Sequence, residues 1–153
     1  MKIERKFTDA NQDAYDALAF VTTTSEIRNP DGTVVFRLEG IEVPDSWSQV
    51  ASDVIAQKYF RKAGVPSKLE KVKEDGVPEF LWRSKAAKGA EMGGEVSSKQ
   101  VFDRLAGAWT YWGWKGGYFS SEEDARAYFD EMRYMLATPV SYTHLTLPTI
   151  LLV

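Results

Sequence analysis

Residues 97–136 read SSKQVFDRLAGAWTYWGWKGGYFSSEEDARAYFDEMRYML, and this stretch decides the predicted fold class. Ser97 and Gln100 have the spacing of a capping box, in which each side chain bonds the other residue's backbone amide at a helix start. Apolar residues then cover a wide arc, so we expect this helix to be buried against more than one partner. The arc consists of two adjacent stripes: Val101, Leu105, Ala108 and Trp112, and beside them Phe102, Ala106 and Trp109. Glycines at 113, 116 and 117 are predicted to break the helix.

The second half of the same stretch predicts another helix. Ser120 lies three residues before Glu123, and acidic residues fill the first turn, where they complement the helix dipole. Apolar side chains then recur at intervals of three and four, which is typical of an amphipathic helix. They are Ala125, Tyr128, Phe129, Met132, Met135 and Leu136. The helix is expected to end near Thr138.

Upstream, β-branched runs lie on both sides of the turn sequence Asn29–Gly32. Proline, aspartate and glycine suit successive positions of a tight turn, so the pattern predicts a β-hairpin with arms near Phe20–Ile27 and Thr33–Leu38.

A further helix, about Trp47–Ala63, is predicted from the capping-box spacing of Ser46 and Gln49, with Arg61 and Lys62 in its last turn. The charged connection that follows reads as a surface loop with one short helical turn at PEFLWRS, residues 78–84. The predicted fold is therefore α+β, an amino-terminal β-hairpin followed by about three amphipathic helices.

The charge balance argues against two classes of partner. The 153 residues include 22 acidic and 19 basic side chains, a net charge of −3, which gives no electrostatic footprint for nucleic acid or for an anionic membrane. Apolar runs are too short for a membrane helix, and the start MKIERKFTDANQD has no apolar core of a secretory signal. A cytoplasmic location is predicted.

The residues needed for most active sites are scarce. Cysteine is absent, which removes disulfides, thiolate metal ligands and thiol nucleophiles. The single histidine is His144, which has no second ligand type nearby and so makes no metal site. We therefore predict no catalytic residue and no metal ligand, and the sequence does not indicate which residues would bind a cofactor.

Two candidate sites have a structural alternative that we favour. The aromatic block Trp109–Phe119 could stack a nucleobase while Lys115 and the amides of Gly116 and Gly117 approach a phosphate, but aromatic clusters at helix ends are more often core. Carboxylate pairs could serve as acid and base, but at helix starts they are more often caps and dipole partners. These pairs are Asp103 with Glu122, and Glu122 with Glu123.

The order of three segments, TTTSEIRNPDG, SQVASDVIAQKYFRKAGVP and the stretch from Ser97 to Leu136, resembles the amino-terminal region of the vitamin B12-dependent, class II ribonucleotide reductases. The resemblance runs from Met1 to Thr138, and the block WTYWGWKGGYF is its most distinctive part. It implies a large cytoplasmic enzyme that reduces ribonucleotides to deoxyribonucleotides for DNA synthesis. In that family adenosylcobalamin supplies a radical, a cysteine becomes a thiyl radical, and a second cysteine pair delivers electrons, all within a ten-stranded α/β barrel.

None of those functional residues has a counterpart between Met1 and Thr138, because this chain lacks cysteine. The resemblance therefore implies that residues 1–138 are the amino-terminal domain of a ribonucleoside-diphosphate reductase whose catalytic barrel is missing. The fragment is expected to be inactive and without a cofactor, and its partner would be the rest of its own chain, against which its apolar helix faces would pack. The alternative from another class is a stand-alone nucleotide-binding module that uses the block Trp109–Phe119.

Residues 139–153 differ in composition from everything before them. Within them, VSYTHLTLPT at residues 140–149 looks like the in-frame translation of a transposon-end adapter used to prepare DNA sequencing libraries. We interpret the segment as a non-native tail. The alternative is a native β-strand or flexible tail, for which its leucines and isoleucine would supply apolar surface.

Overall fold

The computed structural model describes residues 1–138. Residues 139–153, which include His144 and which we interpreted as a non-native tail, lie outside the described residues. Two long strands, β1 (Phe20–Arg28) and β2 (Val34–Pro44), come first, followed by α1 (Gln49–Val54), which continues as one π-helical turn (Ile55–Tyr59). Four short strands follow: β3 (Val65–Pro66), β4 (Leu69–Lys71), β5 (Ser84–Ala86) and β6 (Met92–Gly93). Two long helices, α2 (Ser98–Lys115) and α3 (Glu122–Ala137), are the last elements of the described residues, and the predicted α+β class is confirmed.

The predicted hairpin is present, with a longer second arm than expected. β1 and β2 pair antiparallel, and at the turn the Gly32 amide donates to the Asn29 carbonyl over 2.8 Å. Gly32 has φ +87°, a left-handed conformation that explains a glycine there. β2 continues six residues beyond the predicted Leu38, because its second half, Ile41–Pro44, pairs with the start of β1. That half supplies Ile41 and Val43 to the core, both at most 1% exposed.

The prediction for α1 was wrong at both ends. The N-cap is Ser48, whose side chain accepts the Ala51 amide, whereas Ser46 lies in the preceding turn. The helix ends at Tyr59, since Phe60 adopts extended backbone and buries its ring to 4% exposure. Arg61 and Lys62 therefore lie beyond the helix rather than in its last turn.

The connection between α1 and α2 is more ordered than the predicted surface loop. Its helical turn is present, as a 3₁₀ turn at Glu79–Leu81. The rest forms a two-stranded ribbon, residues 65–93, in which β3 pairs with β6 and β4 pairs with β5. Strands of two or three residues are too short to show an alternating pattern, so local periodicity contains no signal for this pairing.

The two long helices follow the prediction closely, with two corrections. Ser97 and Gln100 form the predicted capping box of α2, but α2 passes through Gly113 without a break and ends at Lys115. α3 is capped by Ser121, which accepts the Asp124 amide, rather than by Ser120, and it ends at Ala137 with Thr138 as its C-cap.

None of the helices within residues 1–138 is long and apolar enough to cross a membrane.

The core lies where the hairpin, α1, α2 and the end of α3 meet. Its buried members are Tyr15, Ile41, Val43, Ile55, Ala56, Phe60, Val101, Phe102 and Ala137. Trp112 was expected on the buried stripe of α2 but is 65% exposed, because Ala106, Thr110 and Gly113 face inward at that end of the helix.

Candidate functional site

The aromatic block Trp109–Phe119 lies at the carboxyl end of α2, where two of its side chains donate hydrogen bonds to the ribbon. The Tyr111 hydroxyl donates to Glu74 over 2.9 Å, and the Trp114 indole donates to the Gly76 carbonyl over 2.7 Å. Both partners belong to the segment between β4 and the 3₁₀ turn. These contacts support the structural interpretation of the block.

Lys115, the candidate phosphate ligand of the nucleotide-binding alternative, is already paired with a carboxylate. Its ammonium group lies 3.0 Å from Glu74, and Arg83 lies 3.5 Å from the same carboxylate. The hydrogen bond from Lys115, with a further one from Tyr111, holds the pKa of Glu74 below its ordinary value. Glu74 in turn raises the pKa of Lys115, so a phosphate would have to displace this pairing.

The amides proposed for phosphate binding are also occupied. The Gly116 amide donates to the Trp112 carbonyl over 2.8 Å, and the Gly117 amide donates to Trp114 over 3.0 Å. Both lie at the carboxyl end of α2, where the helix dipole is negative and repels anions. The nucleotide-binding hypothesis therefore lacks the donors that it required.

A hollow of about 310 Å³ lies beside the same helix end. Its lining is almost wholly apolar and consists of Met1, Trp109, Trp112, Gly113, Tyr118, Phe119 and Tyr128. Pockets that bind drug-sized ligands span ~300–1,000 Å³ and include a few convergent polar groups. This hollow is at the small end of that range and offers no charged side chain to orient a ligand.

The structure does not bring Asp103 and Glu122 together. Asp103 accepts a hydrogen bond from the Tyr15 hydroxyl over 2.8 Å and lies 3.5 Å from Arg133. Arg133 follows Glu122 on α3 by eleven positions, or roughly 16 Å along the axis at 1.5 Å per residue. Glu122 and Glu123 are exposed in the first turn of α3, as the dipole interpretation predicts.

Sequence reasoning missed an ionic cluster around the buried side chain of Arg133. This side chain is 10% exposed and lies 2.8 Å from Asp130, 3.2 Å from Asp13 and 3.5 Å from Asp103. Burial raises the pKa of Asp103, and it also raises the pKa of Tyr15, to which the neighbouring Asp103 charge adds. The cluster joins the amino-terminal residues to α2 and α3. No apolar pattern in the sequence indicates this cluster, because its members are polar residues, which are expected to be exposed to solvent.

The amino-terminal strap, residues 1–13, covers that polar face of α3. The Ile3 amide donates to Asp124 over 2.8 Å, and Arg5 lies 2.8 Å from Asp130. The amides of Phe7 and Thr8 and the Thr8 hydroxyl all donate to one oxygen of Glu131, over 2.7 to 3.1 Å. No local pattern indicates this contact, because the bonded residues of the strap and α3 are separated by 121 to 124 positions in the sequence.

Hydrogen bonding sets the protonation of these strap anchors. Burial alone would raise the pKa of Glu131, but the bonds from Thr8 and Phe7 outweigh it, and the pKa lies below its ordinary value. The Ile3 amide lowers the pKa of Asp124 in the same way. Both carboxylates are therefore charged at neutral pH.

Within residues 1–138, no group of three or more His, Cys, Asp or Glu side chains is placed to hold a metal ion.

Comparison with known proteins places this scaffold in a family. The sequence model described as "Class II vitamin B12-dependent ribonucleotide reductase" matches residues 21–139, which include the hairpin, the ribbon and both long helices. The chain belongs to this family. The predicted resemblance is thus confirmed.

Individual reductases of the family agree with this assignment. The chain is 60% identical over 145 residues to the vitamin B12-dependent ribonucleotide reductase of Bradyrhizobium diazoefficiens and 59% identical over 146 residues to that of Agrobacterium fabrum, with 90% of the chain covered in each case. Identity to the reductase of Streptomyces coelicolor is 29% over 138 residues. The chain spans about 12% of the length of these reductases.

Proposed function

We propose that this chain is the amino-terminal part of a ribonucleoside-diphosphate reductase that makes deoxyribonucleotides for DNA synthesis in the cytoplasm. The observation that carries the proposal is the 60% identity to a vitamin B12-dependent reductase over 90% of the chain, although the chain spans only 12% of that protein. An identity this high indicates that the parent protein has the same chemistry.

We assign the chemistry itself to the rest of the parent protein. Adenosylcobalamin would supply the initiating radical there, and cysteines would carry the radical and the reducing electrons. The hollow beside α2 does not fit this cofactor, since a corrinoid is larger than the drug-sized ligands that fill pockets of ~300–1,000 Å³, and the hollow measures about 310 Å³. The 153 residues also contain no cysteine.

The role that remains for this part is to pack against the catalytic barrel. Trp112 and Tyr118 are 65% and 66% exposed at the end of α2, beside the apolar hollow. Large aromatic side chains in such a position are typical of protein interfaces. We propose that they contact the barrel of the parent enzyme.

A reductase assay tests this proposal. The purified chain, supplied with adenosylcobalamin, a dithiol and a ribonucleoside diphosphate, is expected to form no deoxyribonucleotide, whereas the full-length parent forms it only with the cofactor present. A full-length parent without cobalamin-dependent reduction would contradict the proposal, and turnover by the chain alone would contradict the assignment of the chemistry.

We also propose that residues 139–153 are a translated adapter rather than native sequence. The family match ends at residue 139, where the composition changes. Amplification of the source locus from genomic DNA tests this: a genomic frame that reads through VSYTHLTLPT would show the tail to be native.

A further inference from the structure

The hairpin has one open edge, along the first half of β1. β1 and β2 form a sheet of two strands, so each strand has an outer edge that its neighbour does not cover. On β2 this edge is covered at Glu42, whose amide donates to the Val96 carbonyl over 2.8 Å and which forms a parallel bridge with Ser97. The edge of β1 has no such backbone partner among residues 1–138.

The register of the hairpin shows which backbone groups of β1 point to this edge. The Asp45 amide donates to the Ala19 carbonyl over 3.0 Å, directly before the first pair of the ladder. Hydrogen-bonded and non-hydrogen-bonded pairs alternate in an antiparallel ladder. Val21 is therefore bonded to β2, whereas the amide and the carbonyl of Thr22 point outward. The amide of Glu42, the residue opposite Thr22, also points away from the hairpin, which agrees with this assignment.

The open edge consists of residues that favour strands, and it lacks the usual protection. Phe20–Thr24 reads FVTTT, without a charged residue or a proline, and the side chains of Val21 and Thr22 are exposed. Natural proteins protect an open edge with charges, with proline or with a covering segment. The second half of β1 has such charges, at Glu26 and Arg28. The first half is therefore the part that we expect another strand to cover.

The length of the open edge suits a short strand. The edge ends at Thr24, where the ladder has an irregularity and the Thr24 carbonyl already accepts the Gln49 side-chain amide over 3.0 Å. The part that remains open, Phe20–Thr24, spans five residues. Strands of globular proteins are most often ~5–6 residues long.

The described residues end close to the start of this edge. The Trp47 indole donates over 3.0 Å to the carbonyl of Ala137, the last residue of α3, and the Trp47 amide donates to the Pro44 carbonyl over 3.1 Å. Pro44 is paired with Phe20, the first residue of β1. Thr138 then has extended backbone, with φ −105° and ψ 157°. The parent chain that follows residue 138 therefore begins near the open edge, in a strand-like conformation.

We propose that a strand from the remainder of the parent reductase pairs with β1 at the amide and carbonyl of Thr22 and extends the hairpin to three strands. Strand addition of this kind obtains its affinity from main-chain hydrogen bonds. The inference rests on the proposed function, because the chain spans 12% of the reductase of Bradyrhizobium diazoefficiens and the remaining length would supply the strand.

Hydrogen exchange at single amides, measured in the full-length parent and in this chain, tests the proposal. The Thr22 amide should exchange at least ~100-fold more slowly in the parent, because a strand hydrogen bond must open before exchange. The Val21 amide, which is bonded to β2, is the internal control and should be slow in both proteins. Equally fast exchange of Thr22 in the two proteins would overturn the proposal. Protection of Thr22 in this chain alone that rises with its concentration would also overturn it, since the strand would then come from a second copy.

The variants Thr22→Pro and Thr22→Ala provide a matched pair. Proline removes the outward N–H and is tolerated on an edge strand, whereas alanine keeps this donor. Thr22→Pro should therefore lower the thermal midpoint of the parent relative to Thr22→Ala, and the two variants of this chain should differ much less. An equal difference in both proteins would refute the added strand.

The exchange measurement and the reductase assay fail independently. Fast exchange of Thr22 in a parent that reduces ribonucleotides with cobalamin would refute only the added strand. Slow exchange of Thr22 in a parent without that activity would refute only the proposed chemistry.

Discussion

At the scale of single residues, two glycines of α2 differ in what a side chain would meet. A Cβ on Gly113 would lie 2.7 Å from the Phe119 ring, whereas a Cβ on Gly107 would lie 3.8 Å from Phe129. The first distance is a clash and the second is ordinary contact. Gly113 therefore allows Phe119 to fold back on α2, which gives this glycine a packing role inside a helix that continues through it.

The matched pair Gly113→Ala and Gly107→Ala tests this difference. Gly113→Ala should lower the free energy of unfolding by ~1–3 kcal/mol because the ring must move. Gly107→Ala should raise it by up to ~1 kcal/mol, since alanine is the better helix former. Urea unfolding measures both, and equal effects would show that Phe119 does not pack there.

Tyr15 makes stability depend on alkaline pH. Burial, followed by the Asp103 charge, raises its pKa, so the folded protein keeps this phenol neutral while the unfolded chain ionises near pH 10. Unfolding then releases a proton, and stability is lost as the pH rises above about 10, by up to about 1.4 kcal/mol per pH unit. Tyr128, with a pKa also raised by burial, acts in the same direction.

The variant Tyr15→Phe should remove most of this alkaline loss. At neutral pH it should cost ~1–2 kcal/mol, because Asp103 loses a hydrogen bond in a partly buried site. Unfolding measured from pH 8 to 11 provides the comparison with wild type. An unchanged slope in the variant would mean that Tyr15 ionises freely in the folded state.

At the scale of elements, the strap depends on charged carboxylates of α3. Because the pKa values of Glu131 and Asp124 are lowered in the folded state, the unfolded chain binds protons more tightly. Their contribution is present above the ordinary carboxyl range, ~4–4.5, and is lost as the pH falls through the folded values. Acid should therefore release the strap before it unfolds the apolar core.

Glu131→Gln isolates this contribution. It should reduce stability by ~1–2 kcal/mol at neutral pH, since charge-assisted hydrogen bonds from Thr8 and Phe7 become neutral ones. The difference from wild type should shrink as the pH falls, and proteolysis within residues 1–13 should report the loosened strap. Glu123→Gln, at an exposed position in the first turn of α3, is the control: it should lose no more than the ~0.3–1 kcal/mol of a helix-dipole contact and should leave the strap as resistant to proteolysis as in the wild type.

The elements divide according to whether local sequence specifies them. The hairpin turn at Asn29–Gly32 and the capping box of Ser97 follow from spacing alone, and the sequence predicted both. The apolar face predicted for α3 is confirmed only in part, because Ala125 is the one member that is buried, whereas the polar residues Asp130, Glu131 and Arg133 are buried beneath the strap. The helix caps were predicted at Ser46 and Ser120 but lie at Ser48 and Ser121, because the choice between nearby serines depends on tertiary packing. The strap and the ribbon depend on contacts between distant residues, for which local periodicity has no signal.

At the scale of the whole molecule, the sequence argued against functions of the candidate site more successfully than it predicted the contacts within it. The absence of cysteine already argued against self-contained chemistry, and aromatic packing was preferred over nucleotide binding for the block Trp109–Phe119. The partners of that block, Glu74 and Gly76, could not be predicted because they lie about forty residues away in an unpatterned segment. Nor could the Arg133 cluster, since its carboxylates come from three separate parts of the chain.

The most direct test of the central claim, that this is the amino-terminal part of a larger B12-dependent reductase, is the DNA sequence that follows codon 138 at the source locus. We expect an open frame that continues into a protein of which residues 1–138 form about 12%, and which contains the cysteines that this chain lacks. A genomic frame that encodes residues 139–153 as they stand and then stops would contradict it.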